Sequence, residues 1–318
     1  MEPLLLRPHV KDYLWGGKRL IKEYGLKSDY TIAAEGWLLS CHKDGANSIL
    51  SGEYQGKTLP EVLDIWGVSA LGKNAEKFPY FPLLIKLIDA KQKLSVQVHP
   101  DDEYALKKEG EFGKTEMWYV VDCEEGASLI YGFSEDISSK EFEERIKNNT
   151  LTNVCNFVPV HKGDVFFISA GTLHAIGGGI LIAEVQQNSN TTYRVCDYGR
   201  LGADGKPRPL HIEKAVDVTK TVSPTMPYGN IGEISAIGSN TLRKLAKCDY
   251  FTVELLTLKS DYTILCENSF VSLVLLDGET EISSAKGTMK VKKGDSIFIP
   301  ANFRVNIEGN AEILISYI

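Results

Sequence analysis

Short apolar runs, cut by glycine, proline and acidic turns, recur along most of this chain, and few are long enough to make a helix. Residues 95–99 (Ser-Val-Gln-Val-His) alternate at the strand period, so Gln97 and His99 share one face, and Pro100 ends the run. Strands are also predicted over residues 34–40, 116–121, 165–168 after Gly163-Asp164, and 180–186 after Gly177-Gly178-Gly179. Residues 81–87 are apolar and fit a strand or a short helix. From Leu242 to Ile318 nearly everything is short strand and turn, including residues 251–255, 270–276, 288–291 and 296–299, with Asp277-Gly278 as a hairpin signal. Helical spacing is confined to residues 59–66, a segment opened by Asp101-Asp102-Glu103, residues 138–149 with Ser138 or Ser139 as cap, and residues 211–217. Such a pattern predicts a mainly β protein built of sandwiches or barrels.

The strand pattern lies on both sides of a segment rich in proline and glycine, residues 218–235, the best linker in the chain. It also contains an echo. His161-Lys162-Gly163-Asp164-Val165-Phe166-Phe167-Ile168 resembles Lys292-Lys293-Gly294-Asp295-Ser296-Ile297-Phe298-Ile299. The first copy runs on to His174; the same step from Gly294 lands on Val305. A repeat that keeps its turn and loses its histidine suggests one catalytic module, residues 1–235, and one metal-free structural module, residues 236–318. The plainer alternative is that Gly-Asp turns are common and recur by chance.

With 318 residues and 43% hydrophobic composition the chain can bury two cores. The formal net charge of -7 argues against a nucleic-acid partner. Leu4-Leu5-Leu6 is too short for a signal sequence and no stretch approaches a membrane span, so a cytoplasmic protein without a membrane partner is expected. The six cysteines have no close pairs and read as free thiols rather than a disulfide framework. No phosphate-binding glycine loop, dinucleotide fingerprint or serine triad is present.

Chemistry concentrates in two segments: Gln97-Val98-His99 followed by Glu116, and Ala170-Gly171-Thr172-Leu173-His174. An amide oxygen, two imidazoles and a carboxylate suffice to hold one metal ion. Zinc suits this mixed nitrogen and oxygen set, and iron, manganese or cobalt could replace it. An ordinary strand with a hydrogen-bonded histidine is the competing reading of Gln-x-His.

The chain resembles the type I mannose-6-phosphate isomerases, zinc enzymes of the cupin superfamily, in particular their short bacterial form. The resemblance is carried in order by Trp15-Gly16-Gly17, Ala34-Glu35-Gly36-Trp37, residues 94–102 (LSVQVHPDD), residues 113–119 (GKTEMWY), residues 170–175 (AGTLHA), residues 184–189 (EVQQNS) and Thr192-Tyr193-Arg194. It implies two cupin-like (jelly-roll) β-barrels with a small helical elaboration. It also implies one Zn2+ per chain on Gln97, His99, Glu116 and His174, and a pocket lined by Lys114, Glu184 and Arg194. Where the long forms carry a lysine after the arginine motif, this chain has Val195-Cys196-Asp197-Tyr198-Gly199-Arg200, which makes Arg200 a candidate for the same electrostatic role.

The implied reaction interconverts mannose 6-phosphate and fructose 6-phosphate through a cis-enediol. Glu184 is the first candidate for the base and Lys114 its rival, since burial lowers a lysine's pKa. Arg194 suits a phosphate, with Arg200, Lys91 and Lys93 as weaker candidates; a structural salt bridge and plain surface charge are the alternatives. Trp15 is either a floor for the sugar or an exposed turn aromatic. Glu35 and Trp37 share a strand face and are candidates to support the ligand shell. Two other functions stay open: a two-barrel sugar-binding or regulatory protein without activity, and a metal enzyme for another sugar phosphate or for oxygen chemistry. A monomer is expected.

Overall fold

The computed structural model describes residues 1–202 and 205–318. It divides into two compact units, one made of Met1–Asp12, Lys18–Leu87 and Ile231–Ile318, the other of Tyr13–Gly17 and Ile88–Asn230.

The first unit holds a ten-stranded sheet. Its path runs from Ile234–Ile237 through Asn240–Lys247, Thr252–Leu258, Val305–Tyr317, Val271–Ser284, Ser296–Ile299 and Leu4–Arg7 to Ser48–Ile49; Asp261–Ile264 and Gly287–Lys292 pair off this path. One face is an aliphatic core of residues such as Leu256, Leu273, Leu275, Ile297, Val305 and Ile313. Asp277-Gly278 does not form the expected hairpin. Both residues lie within the long strand Val271–Ser284, where the register slips between Leu275 and Asp277. Gly278 has φ +78, and a Cβ there would meet Asn310 O at 2.2 Å. The glycine therefore serves a bulge against the facing strand. The reversal comes later, where Ser284 pairs with Gly287.

The second unit holds a five-stranded sheet in the order Tyr193–Cys196, Val96–Val98, His174–Ala175, Ser128–Phe133, Cys155–Pro159. Val96, Val98, Leu173, Ala175, Tyr193 and Val195 point to one side and pack with Phe142, Ile146 and Ala215. These last three come from the helices Ser139–Lys147 and Ile212–Val218, which form the helical elaboration. Ser138 caps the first helix by accepting Glu141 N–H, and Asp101 caps Asp102–Lys108 by accepting Tyr104 N–H. Opposite the helices lie Val165–Ile168, Glu116–Cys123 and Ile180–Gln187, joined antiparallel in that order. The apolar segment that fits strand or helix is a strand, Leu83–Ala90.

The two expected β-barrels are not there. The protein is mainly β, but among the described residues none of the three sheets, of ten, six and five strands, closes on itself. Closure requires the end strands to pair with each other, and in the second unit those edges are already occupied. Val165 exchanges both of its main-chain hydrogen bonds with Gly229, at 2.8 and 3.0 Å. Arg194 donates its N–H to His211 Nδ1 at 3.1 Å and accepts His211 N–H at 2.8 Å. The other edge strand of the five-stranded sheet ends in Pro159, which has no N–H to offer. That sheet therefore stays open.

The echo is real at the level of the turn. Asp164 Oδ2 accepts His161 N–H at 2.8 Å, and Asp295 Oδ2 accepts Lys292 N–H at 2.8 Å. Gly163 and Gly294 have φ of 92 and 91. Each turn then delivers a buried strand.

Because Gly278 serves a bulge, Gly278→Ala should lower unfolding stability by more than about 1 kcal/mol. Denaturant titration checks this, read as a drop in midpoint at unchanged slope; a solvent-exposed hairpin glycine would give a far smaller loss.

Candidate active site

Strand alternation and register build a polar row inside the second unit. Val96 and Val98 face the helices, so Gln97 between them faces the other layer. Across the five-stranded sheet Arg194 pairs with Gln97, Gln97 with His174, and His174 with Tyr131. Directly opposed residues share a face, so these four side chains line up on the inner surface. From the facing layer, Glu116 pairs with Gln186 and Trp118 with Glu184, which again puts four side chains on one face.

His99, Glu116 and His174 converge between the layers, and all three are buried. His99 Nδ1 is 2.9 Å from Thr191 O, and His174 Nδ1 is 2.8 Å from Thr172 O. A carbonyl can only accept, so each Nδ1 carries the proton and each Nε2 presents a lone pair. His174 Nε2 is 3.4 Å from Glu116 Oε1, and His99 Nε2 is 3.7 Å from Glu116 Oε2. The Gln97 amide nitrogen lies 3.3 Å from His174 Nε2, and a half-turn of the amide puts its oxygen there. Ligands about 2.0–2.1 Å from a tetrahedral zinc lie about 3.3 Å from one another. The donor chemistry and the spacings therefore fit a small divalent ion.

Lys114, 4% exposed, lies against the same carboxylate. Its Nζ is 2.8 Å from Glu116 Oε2, 3.2 Å from His99 Nε2 and 3.9 Å from Glu184 Oε1. Trp118 donates its indole N–H to Glu184 Oε2 at 2.8 Å, so the other oxygen of Glu184 is the one on the lysine side. Two carboxylates, one ammonium and two neutral imidazoles thus share a buried volume.

Arg194 flanks this centre, with its Nη1 donating to Pro209 O at 3.1 Å. Burial and the neighbouring Arg208 lower its pKa. Arg200 is turned toward the buried Asp197, whose carboxylate it shares with Arg208 at 2.5 and 2.6 Å. Burial raises the Asp197 pKa, but the hydrogen bonds from the two guanidinium groups outweigh it and hold the group below its ordinary value. Lys93 Nζ stands 3.6 Å over the Tyr198 ring, and Lys91 pairs with Glu124 on the surface. Trp15 is buried, its ring 5.6 Å from that of Tyr13 and its carbonyl accepting Gln92 N–H. Glu35 and Trp37 belong to the first unit, where the indole N–H donates to Glu35 at 2.7 Å.

Comparison with known proteins decides the family. The sequence model of the phosphomannose isomerase type I catalytic domain matches residues 4–126, and that of the mannose-6-phosphate isomerase cupin domain matches residues 241–318. The chain is 35% identical over 319 residues to mannose-6-phosphate isomerase ManA of Bacillus subtilis, spanning 100% of this chain and 99% of that protein. The chain belongs to the type I phosphomannose isomerase family. A second family member, the mannose-6-phosphate isomerase of Streptococcus mutans, is 36% identical over 99% of this chain and 98% of its own. The crystal structure of a mannose 6-phosphate isomerase from Bacillus subtilis superposes with a TM-score of 0.92 at 33% identity, covering 100% of both chains. A putative mannosephosphate isomerase from Archaeoglobus fulgidus, 23% identical, shares the fold with a TM-score of 0.78 over 99% of this chain and 97% of its own.

Several residues of this family member were not distinguishable by type and spacing. Thr172 and Thr191 act through carbonyls, which any residue has. Trp118 reads as core until its indole N–H is seen on Glu184. Arg208 sits in a Pro-Arg-Pro loop with no periodicity. Gln186 is buried, and its Oε1 lacks a hydrogen-bond partner while its amide N–H groups go to Gln187 O and Ser189 O. Its strand parity with Glu184 was the signal that could have placed it.

Burial, the largest influence, lowers the His174 pKa from 6.5 to about 4. In the metal-free chain the unfolded state therefore binds more protons than the folded state between these values. The His174 contribution to stability should be full above pH 6.5, fall as the pH drops toward 4, and level off below, with roughly 3 kcal/mol at stake. Urea midpoints measured across that range check this, and His174→Gln should flatten the slope.

Proposed function

We propose that this chain is a zinc-dependent aldose–ketose isomerase that interconverts mannose 6-phosphate and fructose 6-phosphate. The observation that carries the reading is the convergence of His99, Glu116 and His174, with both imidazole lone pairs turned inward beside Lys114 and Glu184. Relatives that match essentially the whole chain are mannose-6-phosphate isomerases by name. Gln97, His99, Glu116 and His174 would hold one zinc ion, which would supply Lewis-acid polarisation of the sugar's carbonyl.

The remaining work falls to side chains. Isomerisation removes the proton from C2, passes through a cis-enediol and returns a proton to C1, while the hydroxyl proton on O2 is exchanged for one on O1. Glu184 takes and returns the carbon-bound proton through Oε1, because Trp118 engages its other oxygen. Lys114 stabilises the negative charge that develops on the enediol oxygens, as a preorganised, buried ammonium. Arg194, one strand beyond Gln97 on the same face, binds the phosphate, with Arg200 adding positive charge to that end of the pocket. No helix among the described residues is long and apolar enough to cross a membrane.

Purified protein with zinc restored should interconvert the two sugar phosphates and stop when a chelator removes the metal. Bound zinc without interconversion overturns the reading. His99→Ala should lose metal and activity together. Glu184→Gln should lower kcat by about 10²–10⁴-fold with KM nearly unchanged, measured by steady-state kinetics; an unchanged kcat removes Glu184 from proton transfer.

A further inference from the structure

The peptide that links Lys114 to Glu116 is held in an unusual way. Gln187 and Thr115 continue the antiparallel ladder just beyond the Gln186–Glu116 pair, and Gln187 N–H donates to Thr115 O at 3.1 Å. The reciprocal bond of such a pair would run from Thr115 N–H to Gln187 O. Instead Thr115 N–H goes to the side-chain Oε1 of Gln187 at 2.8 Å, and Gln187 O accepts the Gln186 amide. One residue therefore grips Thr115 by both its N–H and its carbonyl, once through its backbone and once through its side chain.

The grip is anchored at its far end. Gln187 Nε2 donates to Asp102 Oδ1 at 2.9 Å, and the same oxygen accepts Gly113 N–H at 2.8 Å. A Cβ on Gly113 would lie 2.3 Å from Asp101 C, so the segment is pressed directly onto the start of the Asp102–Lys108 helix. Lys114 N–H donates to Pro100 O at 2.9 Å. Gln187 is 2% exposed; its bond to Thr115 is buried, and its bond to Asp102 is part-buried.

We infer that Gln187 and Asp102 are positioning residues: a clamp that fixes the backbone from Gly113 to Glu116 and thereby sets the Lys114 ammonium and the Glu116 carboxylate against the two histidines. A purely structural link would hold the fold. This one holds a residue flanked on both sides by residues of the centre, Lys114 and Glu116. The inference rests on the isomerase reading for its turnover arm, while its metal-affinity arm is independent of any substrate.

The test is a double-mutant cycle on the full-length protein. Gln187→Met keeps the length and removes both side-chain bonds. It should lower kcat by about 10–100-fold, leave KM within about twofold, and weaken zinc binding about tenfold, read by competition with a chromogenic chelator. Asp102→Ala should reproduce that pattern. Asp102→Asn keeps an acceptor oxygen for both donors and should stay within about threefold of the parent protein. Because the two residues act as one unit, Gln187→Met combined with Asp102→Ala should be scarcely worse than either alone. Parental kcat and zinc affinity in Gln187→Met, or losses that multiply in the double variant, overturn the clamp. Should Gln187→Met fail to fold, the Asp102 pair decides: parental behaviour of Asp102→Ala, or equal loss in Asp102→Asn, overturns it. If the parent protein does not interconvert the sugar phosphates, the isomerase reading fails while the zinc affinities still decide on the clamp.

Discussion

A carboxylate with no solvent exposure is the constraint around which the second unit is organised. Burying the Glu116 charge would be prohibitive without compensating charge and hydrogen-bond donors. The ammonium of Lys114 at 2.8 Å supplies much of that compensation. The imidazoles cannot, because their protons are committed outward to Thr191 and Thr172 and their lone pairs face the carboxylate. Three acceptor groups turned toward one point, with one ammonium beside them, make a centre that is short of positive charge. A divalent cation satisfies that arrangement better than any rearrangement of the side chains themselves.

Much of this was legible in the chain because strand parity is a strict rule. Gln97 lies between Val96 and Val98 and Arg194 between Tyr193 and Val195, so which side each faces follows once the strands are assigned. The helix at Leu59–Trp66, the helix start at Asp101-Asp102-Glu103 and the cap at Ser138 were equally legible, since each depends on neighbours within a few residues. Closure of the sheets was not. It depends on what occupies the outer edges of Val165–Ile168 and Tyr193–Cys196, and those edges are met by Gly229 and His211 from distant, irregular segments. Asp277-Gly278 misled for a related reason: a positive-φ glycine serves a bulge as well as a turn, and the facing Asn310 decides between them. The grip of Gln187 on Thr115 was out of reach because a side chain there replaces its own carbonyl.

The two copies of the Gly-Asp turn lead into interiors of opposite polarity. Both turns are closed by the same aspartate-to-backbone bond. After the first, the chain delivers His174 into a polar row; after the second, it delivers Val305 into an aliphatic cluster. The turn carries the architecture, and the chemistry resides in the residues that follow.

His211 gives the edge of the five-stranded sheet a further property. It satisfies both main-chain groups of Arg194, so the chain that leaves after Cys196 is brought back to the strand it left. The segment between them, which carries Arg200 and Arg208, is pinned at its two ends. Loops closed in this way accept changes of length at small entropic cost. Evolution can therefore lengthen, shorten or recharge that segment while Arg194 and the histidine row stay where they are.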